Sequence, residues 1–243
     1  MARKTAGKST KKKGKAKRKF KPLAWAGFIL LRACTVLIVV VLALVILFRF
    51  VNPPVTATIF SEWRRLGSVE REWVRIEDIA AVAPRSVVAA EDANFCLHWG
   101  FDVKAIRAAI DAGAKRGAST LSQQVTKNVF LWQGRSWIRK ALETAITPAV
   151  EAFWPKKRIL EVYLNVAEMD EGVFGIQAAA QSYFGVDADQ LTAVQSARIA
   201  AVLPNPKGRS AANPSQRLRR KAAAIMDGAA TIRADGRSGC FED

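Results

Sequence analysis

The sequence predicts a mainly α-helical protein, with a single N-terminal transmembrane helix followed by a helical domain. A long apolar stretch without acidic residues lies near the N-terminus and is long enough to cross a membrane. Beyond it, apolar residues recur at the spacing of amphipathic helices, and few segments alternate as strands do. The 243 residues, half of them apolar, suffice to bury one sizeable core but hardly two.

The formal net charge of +17 is concentrated at the N-terminus. Residues 1–22 contain 11 Lys and Arg and no acidic residue, and we expect them to form a disordered, solvated basic tail. Residues 52–243 carry 25 basic against 21 acidic side chains, which leaves only +4. This near balance argues against a nucleic-acid-binding domain and predicts no nucleic-acid partner.

The apolar stretch runs from Leu23 to Phe48 and is interrupted only by Arg32 near its start. With the residues up to Val51 it forms the predicted anchor, residues 23–51. The 20 residues from Ile29 to Phe48 match the length needed to cross a hydrocarbon core of about 30 Å as a helix. A cleaved signal peptide is the alternative, but its apolar region is only about 7–15 residues long, and Asn52-Pro53-Pro54 makes a poor cleavage context. We expect an uncleaved signal anchor, with the tail cytoplasmic and the remainder outside the inner membrane.

After the anchor we assign residues 52–79 to a juxtamembrane linker, residues 80–229 to the folded domain and residues 230–243 to a loose C-terminal tail. The spacing of apolar residues within the domain is typical of helices. Helices are predicted over Val103–Lys115, Ser136–Phe153, Ile159–Val166, Val173–Phe184, Leu191–Val202 and Ser215–Met226.

Three cysteines are present: Cys34 in the anchor, and Cys96 and Cys240 in the exported part, where a disulfide is permitted. The latter two are 144 residues apart, and a pairing cannot be deduced from sequence. We expect unpaired thiols, with Cys96 packed in the fold.

The first polar cluster begins with Glu91 and Asp92, directly after the apolar run Val87–Ala90. A carboxylate at the edge of a buried surface suits a general base, although solvated or salt-bridged carboxylates are commoner. His98 is the only histidine, which excludes multi-histidine zinc sites and argues against a Ser-His-Asp triad. We expect it to make a structural hydrogen bond toward Asp102.

The second cluster spans residues 117–128, where Thr120 and Gln123 have the spacing of a capping box. A helix is therefore predicted to begin here. Free N–H groups at its start would suit a phosphate, and Lys127 and Arg135 could add positive charge. A well-capped surface helix without a ligand is the alternative.

The third cluster is Arg139, Lys140 and Glu143, whose spacing predicts an intrahelical salt bridge. Its flanks, Phe130–Trp132 and Trp137–Ile138, place bulky apolar side chains beside basic ones. Such a combination suits a surface that dips into the membrane interface.

Together these clusters resemble the family 51 glycosyltransferases, which polymerise peptidoglycan and carry the motifs E-D-x-x-F-x-x-H-x-G-x-D, G-x-S-T-x-x-Q-Q-x-x-K-N and R-K-x-x-E. Every fixed position is present, in this order. Two further stretches of the family match over Ile159–Asn165 and Gly172–Phe184. The resemblance covers about residues 80–226, and we expect the monofunctional, biosynthetic form because there is no room for a transpeptidase domain.

The resemblance implies a lysozyme-like helical domain with a small membrane-facing lobe, here within about Val103–Ile138. Its implied substrates are lipid II and the growing glycan strand, joined by β-1,4 linkage with inversion and release of undecaprenyl pyrophosphate. Glu91 would be the base that deprotonates the attacking sugar hydroxyl, and Glu143 the second catalytic glutamate. Substrate-binding roles are implied for Asp92, Ser119, Gln123, Gln124, Lys127, Asn128, Arg135, Arg139 and Lys140.

Two roles stay open for Glu143: it could orient the neighbouring cations, or hold a divalent cation (Mg²⁺ or Mn²⁺) at the pyrophosphate. No organic cofactor is implied. Cell-division proteins or other peptidoglycan synthases are the expected protein partners.

Two other functions remain as alternatives. A lysozyme-like lytic enzyme would share the helices and a lone catalytic glutamate but would cleave strands, for which a basic pyrophosphate-binding cluster is not needed. A non-enzymatic, membrane-anchored cell-wall scaffold would not depend on Glu91.

Overall fold

The computed structural model describes residues 22–113, 117 and 119–242, and the contacts within the chain divide it into two compact units, Met1–Val40 and Val41–Asp243. The predicted mainly α class is confirmed. The described residues form ten α-helices: α1 Pro22–Phe50, α2 Ala57–Leu66, α3 Val82–Glu91, α4 Val103–Asp111, α5 Leu121–Phe130, α6 Trp137–Phe153, α7 Lys156–Val166, α8 Ile176–Phe184, α9 Ala193–Val202 and α10 Gln216–Ala234. Three short strands accompany them: β1 Glu70–Arg71, β2 Glu168–Asp170 and β3 Val173–Phe174.

Helix α1 is the predicted N-terminal apolar helix. Its stretch Trp25–Phe50 is long and apolar enough to cross a membrane, and most of its side chains are exposed, as a lipid-facing helix requires. The basic tail predicted over residues 1–22 lies outside the described residues except for its last position.

The last turns of α1 belong to the second unit, Val41–Asp243. The side chain of Val45 is fully buried there, and the Trp154 indole donates a hydrogen bond of 2.6 Å to the Val45 carbonyl oxygen. Arg158 donates to the carbonyl oxygens of Phe48 and Val51 at 2.9 and 3.0 Å. Arg158 thus satisfies carbonyl groups at the end of α1, where the helix itself leaves them without partners, and Trp154 adds a bond to a carbonyl one turn earlier.

Residues 52–79 are part of the domain, so their assignment to a linker is wrong. Thr56 caps α2, in which Ile59 is buried, and Ile76 joins the main core. Strand β1 pairs in parallel with β3, which pairs antiparallel with β2. The short sheet joins this segment to a part of the chain about one hundred residues away, a contact that local sequence patterns do not reveal.

The core of the domain lies between two groups of helices. Helix α3 packs against α9 and α10, and α5 packs against α6 and α7. Val87 of α3, Leu160 of α7 and Ile199 of α9 are buried in one continuous cluster. This arrangement brings the C-terminal end of α3 next to the beginning of α5.

Helices α4, α6, α7 and α9 overlap the segments predicted for them, whereas the predicted helix Val173–Phe184 begins only at Ile176. Val173 and Phe174 form strand β3 instead, and Gly175 separates strand from helix. Gly175 has a φ of +88°, and a Cβ there would lie 3.1 Å from the Asn165 carbonyl oxygen, so only glycine fits.

The C-terminal segment was predicted to be loose over residues 230–243, but its described part, residues 230–242, is not. Helix α10 extends to Ala234 because buried residues continue the three- and four-residue spacing through Ala229 and Ile232. Beyond it, Phe241 is only 2% exposed, and Cys240 forms a disulfide with Cys96 at a Cα–Cα distance of 5.6 Å. The expectation of unpaired thiols is therefore wrong, because the fold brings together two cysteines that are 144 residues apart.

Candidate active site

Glu91 is the last residue of α3 and is partly exposed, whereas Val87 and Val88 of the preceding turn are buried in the core. Its Oε2 accepts a hydrogen bond of 2.9 Å from the Gln124 amide on α5, and its Oε1 accepts none from the described residues. The carboxylate is thus held through Oε2, and Oε1 is available to accept a proton.

A buried tyrosine holds Gln124 in turn. The Tyr163 hydroxyl on α7 donates to Gln124 Oε1 at 3.2 Å, so the amide must present its nitrogen to Glu91. Burial raises the pKa of the Tyr163 hydroxyl well above its ordinary value, and the Glu91 charge acts in the same direction. The hydroxyl therefore stays a donor, and α7, α5 and α3 meet in one hydrogen-bond chain.

Asp92 is buried and joins the loop after α3 to the beginning of α5. Its two oxygens lie 2.9 and 3.1 Å from His98 Nε2, and Oδ2 also accepts from the Leu121 backbone N–H at 3.0 Å. Because a carboxylate only accepts, Nε2 carries the proton. The partner of His98 is therefore Asp92.

The predicted hydrogen bond from His98 to Asp102 is wrong because Asp102 caps another helix. Its Oδ1 accepts from the Ala105 backbone N–H at 2.8 Å and its Oδ2 from Asn94, also at 2.8 Å. The bond from the Ala105 N–H is the main cause that lowers the pKa of Asp102 below its ordinary value. Asp102 thereby fixes the start of α4.

The capping box predicted at the start of α5 is confirmed: Thr120 Oγ1 accepts from the Gln123 N–H, and Gln123 Oε1 accepts from the Thr120 N–H. With Leu121 bound to Asp92, three N–H groups at this end of α5 are used within the protein. The expectation of free N–H groups for a phosphate is therefore wrong for these three, and side chains become the main candidates for holding an anion here.

A cationic cluster follows on α5 and α6. Arg139 donates to Glu143 Oε2 at 2.9 Å, and Lys140 donates to Glu143 Oε1 and, at 3.1 Å, to Ser119 Oγ. Glu143 is only 3% exposed, and the predicted intrahelical salt bridge is confirmed. The buried carboxylate fixes where the two cations stand.

Lys127 lies within electrostatic range of both glutamates. Burial lowers the pKa of its ammonium group, an effect opposed by Glu143 and Glu91 and reinforced by Arg139 and Lys140. Lys127 is therefore an incompletely solvated cation within electrostatic range of both the candidate base and the pair Arg139 and Lys140. Such a group interacts strongly with an incoming anion.

The protein groups at Glu143 do not form a site for Mg²⁺ or Mn²⁺ by themselves. Each of its oxygens accepts from a cation, and these hard metal ions need several oxygen ligands. In the part of the chain that the structure describes, no three His, Cys, Asp or Glu side chains are grouped to hold a metal. The arrangement favours the other predicted role, in which Glu143 orients cations.

Two predicted binding residues stand apart from this cluster. Arg135 is exposed in the loop before α6 and forms no ion pair with the residues described. Asn128 is buried, and its Oδ1 accepts from Gln133, which also donates to Thr58 at the start of α2. Asn128 thus ties the end of α5 to α2.

A cleft of about 680 Å³ adjoins Glu91. Its lining includes the polar residues Asp92, Asn94 and Asp102. It also includes four small side chains from α4 and the residue after it: Ala105, Ala108, Ala109 and Ala112. Small apolar side chains combined with a few polar groups suit a sugar ring, which presents both apolar faces and hydroxyls.

Sequence patterns did not single out two further groups at this end of α3. Tyr163 lies in a matched family stretch, but its link to Glu91 through Gln124 depends on the packing of α7 on α5. Lys221 on α10 donates to the Ala201 carbonyl oxygen at 3.2 Å. Burial lowers the pKa of Lys221 and the Glu91 charge opposes this, so the ammonium lies within electrostatic range of the base. The basic composition of α10 was the only signal for it.

Comparisons with a family model and with known proteins point to the same family. The family model described as Transglycosylase matches residues 58–230. The chain is 58% identical over 212 residues to the biosynthetic peptidoglycan transglycosylase of Jannaschia sp. (strain CCS1), covering 87% of this chain and 89% of that protein. Proteins of the same name from Stutzerimonas stutzeri (strain A1501) and Pseudomonas fluorescens (strain SBW25) are 50% and 48% identical, over 78% and 79% of this chain and 82% and 85% of theirs. The chain therefore belongs to the transglycosylase family.

Proposed function

We propose that the chain is a peptidoglycan glycosyltransferase that polymerises lipid II into β-1,4-linked glycan strands. The names of its relatives and the matched family model support this activity. The observation that carries the chemistry is the pairing of a carboxylate that has one available oxygen with a fixed cationic cluster. The first suits proton removal, and the second suits a departing pyrophosphate.

Glu91 acts as the general base. It takes the proton from the acceptor's 4-hydroxyl while that oxygen forms a bond to the anomeric carbon of the donor strand, whose bond to the pyrophosphate oxygen breaks. The α-linked pyrophosphate is displaced from the donor in one step, which gives the β-linkage with inversion. A single base suffices, and no covalent glycosyl-enzyme intermediate is required. Gln124 fixes the direction of the carboxylate.

The cationic cluster stabilises the leaving group. Negative charge grows on the pyrophosphate in the transition state, and cations already held in place lower its energy without reorganising. Lys127, Arg139 and Lys140 supply this charge. Glu143 holds Arg139 and Lys140 and so acts on the pyrophosphate through them.

We further propose a single-pass protein of the inner membrane with an external catalytic domain. The Lys-rich N-terminus favours a cytoplasmic tail. The Cys96–Cys240 disulfide supports the external location, since disulfides persist in oxidising compartments. Exposed Trp132, Trp137 and Ile138 stand close in sequence to the cationic cluster, which suits a substrate whose pyrophosphate sits at the membrane surface. Partners among cell-division proteins or other peptidoglycan synthases stay a prediction.

The test is polymerisation of labelled lipid II by the full-length protein in detergent-lipid micelles, with Glu91→Gln as the matched variant. We expect glycan strands and undecaprenyl pyrophosphate from the wild type, and a loss of about a thousandfold or more in turnover for the variant. A lytic enzyme would instead release fragments from finished sacculi. Clearing of sacculi without polymerisation, or full activity of Glu91→Gln, would overturn the proposal.

A further inference from the structure

We propose that residues 235–242, here named the C-terminal strap, position the catalytic loop, residues 92–98, so that turnover depends on the Cys96–Cys240 disulfide. The inference rests on the proposed function, because it assigns these residues a part in the same reaction. Cys240, Phe241 and Arg237 are positioning residues that act through the loop. None of them lines the cleft beside Glu91.

Covalent and polar contacts join the strap to the loop. Cys240 is bonded to Cys96, in the middle of the loop. Arg237 donates a hydrogen bond of 2.9 Å to the Ala93 carbonyl oxygen, two residues after Glu91. Asp235 accepts from the same guanidinium at 2.7 and 2.9 Å and holds it in that direction.

Apolar and ionic contacts extend the same attachment. Phe241 is 2% exposed and its ring centroid lies 6.5 Å from that of Phe95, which is fully buried in the loop. Glu242 pairs at 2.8 Å with Arg85 on α3, the helix that ends at Glu91. The strap therefore contacts both the loop and the helix α3, which carries the base.

The loop depends on such contacts because its own secondary structure is slight. A single 3₁₀ turn, Phe95–Leu97, is its only regular element. Yet Asp92 within it binds His98 and the Leu121 N–H, and so sets the start of α5. One turn further along α5, Gln124 holds Glu91. A displacement of the loop would pass through Asp92 and α5 to the carboxylate.

Reduction of the disulfide would loosen this attachment. A dithiol transfers two electrons and two protons to the bond, which yields the Cys96 and Cys240 thiols and an oxidised dithiol. Both cysteines are partly exposed, so a small dithiol can reach them. The strap would then contact the loop through Arg237 and Phe241, and helix α3 through Glu242.

The test uses full-length protein in detergent-lipid micelles, and compares the wild type with Cys96→Ser/Cys240→Ser and Phe241→Ala, the latter keeping the disulfide. Tyr183→Phe is the matched control, because it loses a buried hydrogen bond to the Met169 carbonyl outside the loop and strap. We measure thermal unfolding, then kcat and KM for lipid II well below every Tm, and amide hydrogen exchange over residues 92–102.

For the double serine variant we expect Tm to fall by roughly 5–15 °C. We expect kcat to fall about three- to tenfold with KM nearly unchanged, since misplacement of the base acts on the transition state. Exchange over residues 92–98 should accelerate about tenfold or more. Phe241→Ala should show the same pattern more weakly, and Tyr183→Phe should lower Tm without changing kcat. Dithiothreitol should reproduce the variant's kcat in the wild type and leave the variant itself unaffected.

A kcat equal to that of the wild type in both strap variants, with unchanged exchange over the loop, would overturn the inference and leave the disulfide a general stabiliser. The exchange measurement needs no catalysis. Failure of the wild type to polymerise lipid II would therefore overturn the proposed function, while unaccelerated exchange would separately overturn the positioning of the loop.

Discussion

The Gln124 amide nitrogen lies 2.9 Å from Oε2 of Glu91, and the two residues come from different helices, α5 and α3. This hydrogen bond leaves only one oxygen of the candidate base available, and so selects the direction from which a hydroxyl can approach. The Tyr163 hydroxyl fixes the amide from its other end.

Replacement of Gln124 by Ala should lower kcat by about ten- to a hundredfold with a smaller change in KM, because the carboxylate loses its orientation. Tyr163→Phe removes only the supporting hydrogen bond, and should lower kcat about two- to fivefold. Steady-state polymerisation of lipid II measures both. Tyr183→Phe, which alters another buried tyrosine, should keep full turnover. Equal activity of wild type and Gln124→Ala would contradict this role.

Replacement of Glu143 by Gln should weaken the site and the fold together. Arg139 and Lys140 would lose their common counter-charge, and the free energy of unfolding should fall by about 1–3 kcal/mol. Turnover should fall about a hundredfold, because the cations no longer stand where the leaving group develops charge. Urea unfolding and lipid II turnover are the measurements. A stable variant with wild-type turnover would show that Glu143 does not orient the cluster.

Lys127 should impose an alkaline limit on substrate binding. Burial lowers its pKa below the ordinary value of 10.5, so the ammonium loses its proton, and its attraction for a pyrophosphate, at a lower pH than a surface lysine. KM for lipid II should therefore rise as the pH approaches and passes the lowered pKa. Lys127→Arg should move this rise to higher pH, since a guanidinium keeps its charge. An identical pH profile for the arginine variant would contradict the assignment.

The lowered pKa of Lys127 also predicts how the free energy of unfolding changes with pH. Between the lowered folded pKa and the ordinary value of 10.5, the unfolded chain binds more protons at Lys127 than the folded chain. The contribution of this residue to the free energy of unfolding therefore increases with pH in that window. The difference between wild type and Lys127→Met in urea unfolding at several alkaline pH values checks the sign.

Asp102 should contribute a pH-dependent helix cap. Its folded pKa is depressed, chiefly by the Ala105 N–H, so its stabilising effect is fully present above the ordinary value of 3.8 and is lost as the pH falls through the folded value. Asp102→Ala should cost about 1 kcal/mol at neutral pH, whereas Asp102→Asn should keep much of the cap and lose the pH dependence. Thermal unfolding between neutral and acidic pH measures this. A variant Asp102→Asn that retains the acid-dependent loss would place its origin at another group.

Local features of this protein were predictable from sequence because they depend on residues within one or two helical turns. The capping box of Thr120 and Gln123 and the pairing of Arg139 with Glu143 follow from the period of the α-helix. The N-terminal apolar helix follows from the length and composition of its segment. The family motifs added the candidate site residues, of which the structure brings Glu91, Gln124, Lys127, Arg139, Lys140 and Glu143 into one electrostatic neighbourhood.

Only the tertiary structure decided which distant groups meet. The choice of Asp92 over Asp102 as the partner of His98 arose because Asp102 is engaged at the start of α4. The Cys96–Cys240 bond and the contact of Gln124 with Glu91 depend on how α3, α5 and α10 pack across long stretches of chain. Periodicity specifies which face of a helix is buried, whereas the path of the chain between helices determines its partner. The composition of the last residues suggested a loose tail, whereas Cys240, Phe241 and Arg237 pack against or bond to residues 93–96.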